Sequence, residues 1–136
     1  MTRQKIIRCV LSGSFHKGRT ELLSIYNELI TCGCQVLSPH RLDFGPESET
    51  VFARDKAETD LSEEVIERHQ LTSIKQSDFL WLHAPNGYVG LSAAFEIGYA
   101  VANKIPIFCE VEISEPVFKP FVQISNSVYK AIESLA

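Results

Sequence analysis

Short apolar runs, each stopped by Gly, Pro or Asn and alternating with stretches of helical period, constrain this chain more than any other feature. Ile6 to Leu11 is rich in β-branched residues and ends at Ser12-Gly13-Ser14, as a buried strand ends at a turn. Arg19 to Thr31 places Leu22, Leu23, Ile25, Tyr26, Leu29 and Ile30 along one helical face, and Gly33 is a natural stop. Gln35 to Ser38 reads as a second strand closed by Pro39, and residues 39–57 read as a long loop. Residues 58–77 are helical in composition, with Asp60 or Ser62 as cap and Glu63 and Glu64 at the positive end of the dipole. The apolar residues of that helix form no single stripe, which suits a helix that touches more than the sheet.

Asp78 to Leu82 is a third strand, and His83 to Gly90 a loop rich in Gly, Pro and Asn. Leu91 to Asn103 is a helix with Ser92 placed to cap it, Ile105 to Cys109 a fourth strand, and Ser125 to Leu135 a last helix. Strands that alternate with helices imply parallel pairing through helical crossovers. The expectation is therefore a single α/β domain over 1–136, a flavodoxin-like doubly wound parallel sheet of four or five strands. Its order should be 2-1-3-4, with any fifth strand beside the fourth.

The charge balance narrows the partners. A net charge of −4 with no basic stripe argues against a nucleic acid polymer or an anionic membrane surface. No stretch has the apolar length of a membrane span, and the first residues lack the pattern of a secretory signal, so a cytoplasmic protein is expected. Cys9 and Cys109 lie in strand-like runs and read as core thiols, while Cys32 and Cys34 are spaced too closely for a zinc site. No metal and no cofactor is expected.

Open parallel sheets bind ligands beyond the carboxyl ends of their strands. Two loops meet that description. In the first, Gly13, Ser14, Phe15, His16, Lys17, Gly18 and Arg19 combine glycines, a helix start and positive charge, which suits an anion. It is neither a Walker loop nor a dinucleotide fingerprint. In the second, Asn86, Gly87, Tyr88, Gly90 and Ser92 lead into a helix that carries Glu96 near its start. A carboxylate there is expected to be ionised by the dipole and able to act as a nucleophile or base. Phe15 and Tyr88 are candidates to stack on a base, whereas Phe79 and Trp81 read as core.

Ser77-Asp78-Phe79-Leu80, the Gly-rich loop, Phe95-Glu96-Ile97-Gly98-Tyr99-Ala100 and Asn103-Lys104-Ile105-Pro106-Ile107 resemble the nucleoside 2-deoxyribosyltransferase-like superfamily. Gly13-Ser14 with Gly18-Arg19 is similar to its 2′-deoxynucleoside 5′-phosphate N-hydrolase branch. The resemblance implies a Glu96 nucleophile that attacks the anomeric carbon of a deoxyribonucleoside, and the expected activity is cleavage or transfer at the N-glycosidic bond of a (deoxy)nucleoside or nucleoside 5′-monophosphate. It also implies sugar or phosphate contacts from Gly13, Ser14, Arg19 and Ser92, and a homodimer or higher homo-oligomer. The chain departs from the family at two places. Gln70, with His69 beside it, stands where an Asp is usual, and Gly90 stands where the transferases carry another Asp. His69 is then a candidate substitute acid. Three functions follow: an N-glycosidase or transferase, a nucleotide-binding or sensing module of the same fold, and, on fold analogy alone, electron transfer with a flavin.

Overall fold

A computed structural model describes residues 5–39 and 62–135. The loop read at 39–57 falls outside these residues except for Pro39, as do His40, Asp60 and Leu61.

Five strands form one sheet: β1 (Arg8–Gly13), β2 (Gln35–Ser38), β3 (Phe79–His83), β4 (Ile107–Cys109) and β5 (Gln123–Ile124). Their order is β2-β1-β3-β4-β5, and every pairing is parallel. The helices are α1 (Arg19–Thr31), α2 (Glu63–Lys75), α3 (Leu91–Ala102) and α4 (Val128–Ser134). This is the doubly wound α/β arrangement expected, with the fifth strand beside the fourth.

The two faces of the sheet follow from the period of two along each strand. Cys9, Leu11, Phe79, Trp81 and Phe108 join Leu22, Ile25 and Leu29 of α1 and Val128 and Ala131 of α4 in one core. Val10, Leu80, Leu82, Ile107 and Cys109 pack with Ile74 of α2 and Ala93, Ile97 and Ala100 of α3 in the other. Phe79 meets Phe108 edge to face at 5.8 Å. Cys9 and Cys109 are fully buried, as core thiols should be.

Element ends differ from expectation where backbone groups are already committed. The Ile105 N–H donates to the Ala100 carbonyl at 2.9 Å, so Ile105 closes α3 rather than opening β4. Ser127 caps α4 by accepting from the Lys130 N–H, which starts that helix later than Ser125. Ser62 caps α2 by accepting from the Val65 N–H. Ser92 does not cap α3: Gly90 stands at that cap with no side-chain bond, and Ser92 lies exposed inside the first turn.

Asp78 works at the amino end of the sheet. Its carboxylate accepts from the Arg8 N–H at 2.8 Å and from Lys5 Nζ at 3.2 Å. Burial opposes its ionisation, but these two donors prevail and hold it below the usual carboxylate range. It ties β1 to β3 at the end away from the site. No helix among the described residues is long and apolar enough to cross a membrane.

Candidate active site

The strand order reverses at β1, with β2 on one side of it and β3 on the other. Beyond the carboxyl ends of such neighbours a doubly wound sheet leaves a crevice. The residues there are fixed by the same period that builds the core. Ser12 follows Val10 on the face toward α2 and α3, where an apolar side chain would continue the core. A buried hydroxyl in that place needs a partner. Ser12 Oγ donates to Glu96 Oε1 at 2.5 Å.

Glu96 comes from α3 and is only 6% exposed. A second donor reaches the same oxygen: Gln70 Nε2 lies 3.1 Å from Glu96 Oε1. The Gln70 amide is itself held, since its nitrogen also faces the Leu11 carbonyl at 3.3 Å and its oxygen accepts from Ser38 Oγ at 2.5 Å. β1, β2 and α2 therefore fix one amide, and that amide with Ser12 fixes the plane of the Glu96 carboxyl.

The expected ionisation of Glu96 is not what the site imposes. Burial, then the hydrogen-bonded carboxyl group of Glu67 and its charge, push the pKa of Glu96 well above the ordinary 4.5, and the donors Ser12 and Gln70 only partly offset this. The dipole argument fails on position. Glu96 is the sixth residue of α3, and the dipole's effect fades within the first turn.

Glu67 is a residue that sequence reasoning missed. It lies three residues before Gln70 on α2, so both project toward the same side of the helix. Its Oε2 is buried and makes no hydrogen bond among the described residues. His69, the candidate substitute acid, is exposed on α2, and it is Glu67 whose charge acts on Glu96.

The two loops meet above β1 and β3. Gly13, at φ +131°, pairs with His83, and a Cβ added there would collide with the His83 carbonyl. The Ser14 N–H donates to the same carbonyl at 3.3 Å. The His83 ring is buried, and its Nε2 donates to the Lys17 carbonyl at 2.7 Å. Burial lowers the His83 pKa against the Lys17 carbonyl and nearby Glu21 and Glu110, so a neutral ring braces the first loop. Gly18 takes a left-handed backbone, at φ +58°, that turns the chain into α1, whose first residue is Arg19.

In the second loop, Asn86 and Gly87 are tied elsewhere. The Asn86 carbonyl accepts from Ser114 Oγ at 3.3 Å, and the Gly87 carbonyl from the Ser114 N–H at 3.0 Å. These residues shape the loop from behind. Gly90 is less hemmed in, since the nearest atoms a Cβ there would meet are those of the Tyr88 and Ser14 side chains at 3.5–3.7 Å. Lys17 Nζ sits 3.8 Å from the centre of the Tyr88 ring, so one face of that ring already carries a cation. Phe15 packs partly against the α1 side of the core. Both ring nitrogens of His16 are buried and make no hydrogen bond among the described residues, which marks His16 as a polar group in need of a partner.

A cavity of about 440 Å³ beside β5 and α4, lined by Phe108, Ile124, Asn126 and Lys130 among others, contains none of these groups.

No family model matches the chain, and no curated protein does. Among solved structures, the Clostridium botulinum CMP N-glycosidase BcmB superposes with a TM-score of 0.57 over 94% of this chain and 96% of that one, at 17% identity. The chain has the fold of this N-glycosidase. The superfamily resemblance read from the residues thus holds at the level of the fold.

Proposed function

We propose that the protein cleaves or transfers at the N-glycosidic bond of a nucleoside 5′-monophosphate or nucleoside, with Glu96 as nucleophile. The observation that carries this is the Glu96 carboxyl itself. It is buried at the switch point of the sheet, with Ser12 and Gln70 both donating to one oxygen. A purely structural Glu gains nothing from burial beside a second carboxyl group. N-glycoside cleavage passes through an oxocarbenium-like state, and a carboxylate on one face of the sugar can stabilise or trap it. The fold shared with a CMP N-glycosidase supports a small nucleotide as ligand.

Gly13, Ser14, Gly18 and Arg19 at the start of α1, with Ser92 at the start of α3, would receive the phosphate or sugar. Nucleoside monophosphates should then raise the melting temperature more than the matching nucleosides. Arg19→Ala should remove most of that difference, since a charge-assisted hydrogen bond is worth about 1.5–3 kcal/mol. Equal shifts for both ligand classes in wild-type protein would take phosphate out of the reading.

The other reading is a sensor that binds a nucleotide without turning it over. Gln70 in place of a carboxylate favours it. Binding without release of free base would decide for the sensor.

Assembly into a homo-oligomer belongs to the same proposal. On α3, Leu91 is 93% exposed and Phe95 55%, and Gly98 and Ala102 continue the exposed face at helical spacing. An apolar stripe of this kind is normally covered. It lies on α3, whereas the sequence pattern had pointed to α2, where Val65 is exposed. Light scattering should show a dimer or larger species, and Leu91→Glu with Phe95→Glu should yield a monomer. A strict monomer in the wild type would refute the assembly.

A further inference from the structure

We propose that Ser38 is a positioning residue for Glu96, acting through Gln70: its hydroxyl holds the Gln70 amide with the nitrogen turned toward the Glu96 carboxyl. The inference rests on the reading of Glu96 as nucleophile and adds the residues that aim it.

A break in the register of the sheet puts Ser38 in place. Cys9 pairs with Val36 but Val10 with Ser38, so β2 carries one extra residue, Leu37. Val36 belongs to the core shared with α1, and plain alternation would send Ser38 to that side as well. The extra residue turns it instead to the side of Val10, where α2 packs. Bulges re-aim side chains in this way and are common next to active sites. Ser38 is only 6% exposed, and its Oγ donates to Gln70 Oε1 at 2.5 Å.

The amide has one orientation that suits its neighbours. The Leu11 carbonyl accepts and cannot donate, so the edge of Gln70 that faces it at 3.3 Å is the nitrogen. The Ser38 hydroxyl meets the oxygen at the other edge. Both hydrogens on the nitrogen are then committed, one to Leu11 and one to Glu96 Oε1 at 3.1 Å. Gln70 has no hydrogen left for a ligand, so its part is to aim Glu96 rather than to touch the substrate. A carboxylate at position 70 would have no hydrogen to give and would set its charge against both the Leu11 carbonyl and Glu96. Without the Ser38 hydroxyl, the amide oxygen loses its donor and the amide can turn over. Turned over, it presents oxygen to oxygen at Leu11 and at Glu96, and Glu96 loses a bond that favours its charged form. Among the described residues, Glu67 of α2 is the charged group that acts on Glu96, while Ser12 of β1 and Gln70 of α2 are neutral. A substitution at Ser38 leaves that charge in place, so its effect on Glu96 reports the amide.

The test follows release of free base from a nucleoside 5′-monophosphate, across pH, in the wild type, Ser38→Ala, Ser38→Thr and Gln70→Glu. Ser38→Ala should lower kcat by about 10- to 100-fold, the scale of one hydrogen bond to a charged group, with KM unchanged. It should also move the acid limb of the kcat profile to higher pH. Ser38→Thr keeps the hydroxyl and should recover most of the loss. Gln70→Glu should lose at least as much as Ser38→Ala. A wild-type kcat in Ser38→Ala, a loss carried by KM alone, no recovery in Ser38→Thr, or a gain of activity in Gln70→Glu would overturn the inference. A carboxyl-carbon NMR titration adds a readout free of turnover: Glu96 should titrate at higher pH in Ser38→Ala than in the wild type, and an unmoved titration would also overturn it. Wild-type protein that releases no base would strike the nucleophile reading, and the titration would still decide for or against Ser38.

Discussion

Glu96→Gln is expected to abolish release of free base, by about 10³-fold or more, and at the same time to stabilise the fold near neutral pH. The first effect follows because an amide oxygen is a far poorer nucleophile than a carboxylate. The second follows from linkage. The folded pKa of Glu96 lies well above its ordinary value of 4.5, so the contribution of this side chain is fully present below that value and is lost as pH rises through the raised one. A Gln side chain keeps the shape, still accepts from Ser12 and Gln70, and can donate its amide hydrogens to Glu67. The wild type should therefore lose stability between mildly acid and neutral pH relative to Glu96→Gln. Melting curves of both proteins across that range check the sign. A Gln variant that melts lower than wild type at neutral pH would contradict the burial argument, even if activity is lost. Stability given up at a functional carboxyl group is the usual trade of an active site.

Gly13→Ala should be the most damaging single substitution in the loops. Gly13 combines a φ of +131° with a backbone-to-backbone approach to His83, and the atom in the way is a carbonyl rather than a flexible side-chain tip. A side chain forced into such a backbone region costs about 1–3 kcal/mol, and overpacking costs a similar amount. The clash falls at the register pair Gly13–His83, where β1 meets β3 and the first loop begins. We expect a large fall in the denaturation midpoint, together with loss of nucleotide binding, because Ser14 and the neighbouring Ser12 would move with the strand. A denaturation curve coincident with the wild type would show that the two strands can part there without cost.

Some of the site was legible because it lies on regular elements. The apolar spacing of Leu22, Ile25 and Leu29 and the stop at Gly33 fixed α1 to the residue. The runs around Val10 and Leu80 fixed the parallel core, and Glu96 stands out in the sequence as a candidate because it follows a Gly-rich loop after β3. Ser12 was legible in principle as a polar residue in the alternation that makes Val10 core. Glu67 was hidden by its company. With Glu63 and Glu64 in the same helix start it reads as one more solvated acid, and what sets it apart is that its charge acts on Glu96 of α3, which no local pattern carries. The protonation of Glu96 was misread for the same reason, since the dipole is local and burial is not. His83 reads in the sequence as the start of the loop after the third strand, but it is the last residue of β3, and its ring braces the first loop through the Lys17 carbonyl.

The measurement closest to the central claim is a product analysis. Wild-type protein is incubated with a panel of nucleoside 5′-monophosphates and nucleosides, and free base and sugar phosphate are quantified by chromatography, with Glu96→Gln run alongside. The account predicts free base from at least one nucleotide, in equal amount to the sugar phosphate, and none from Glu96→Gln. Base released equally by both proteins, or nucleotide bound by the wild type with no base released from any member of the panel, would contradict it.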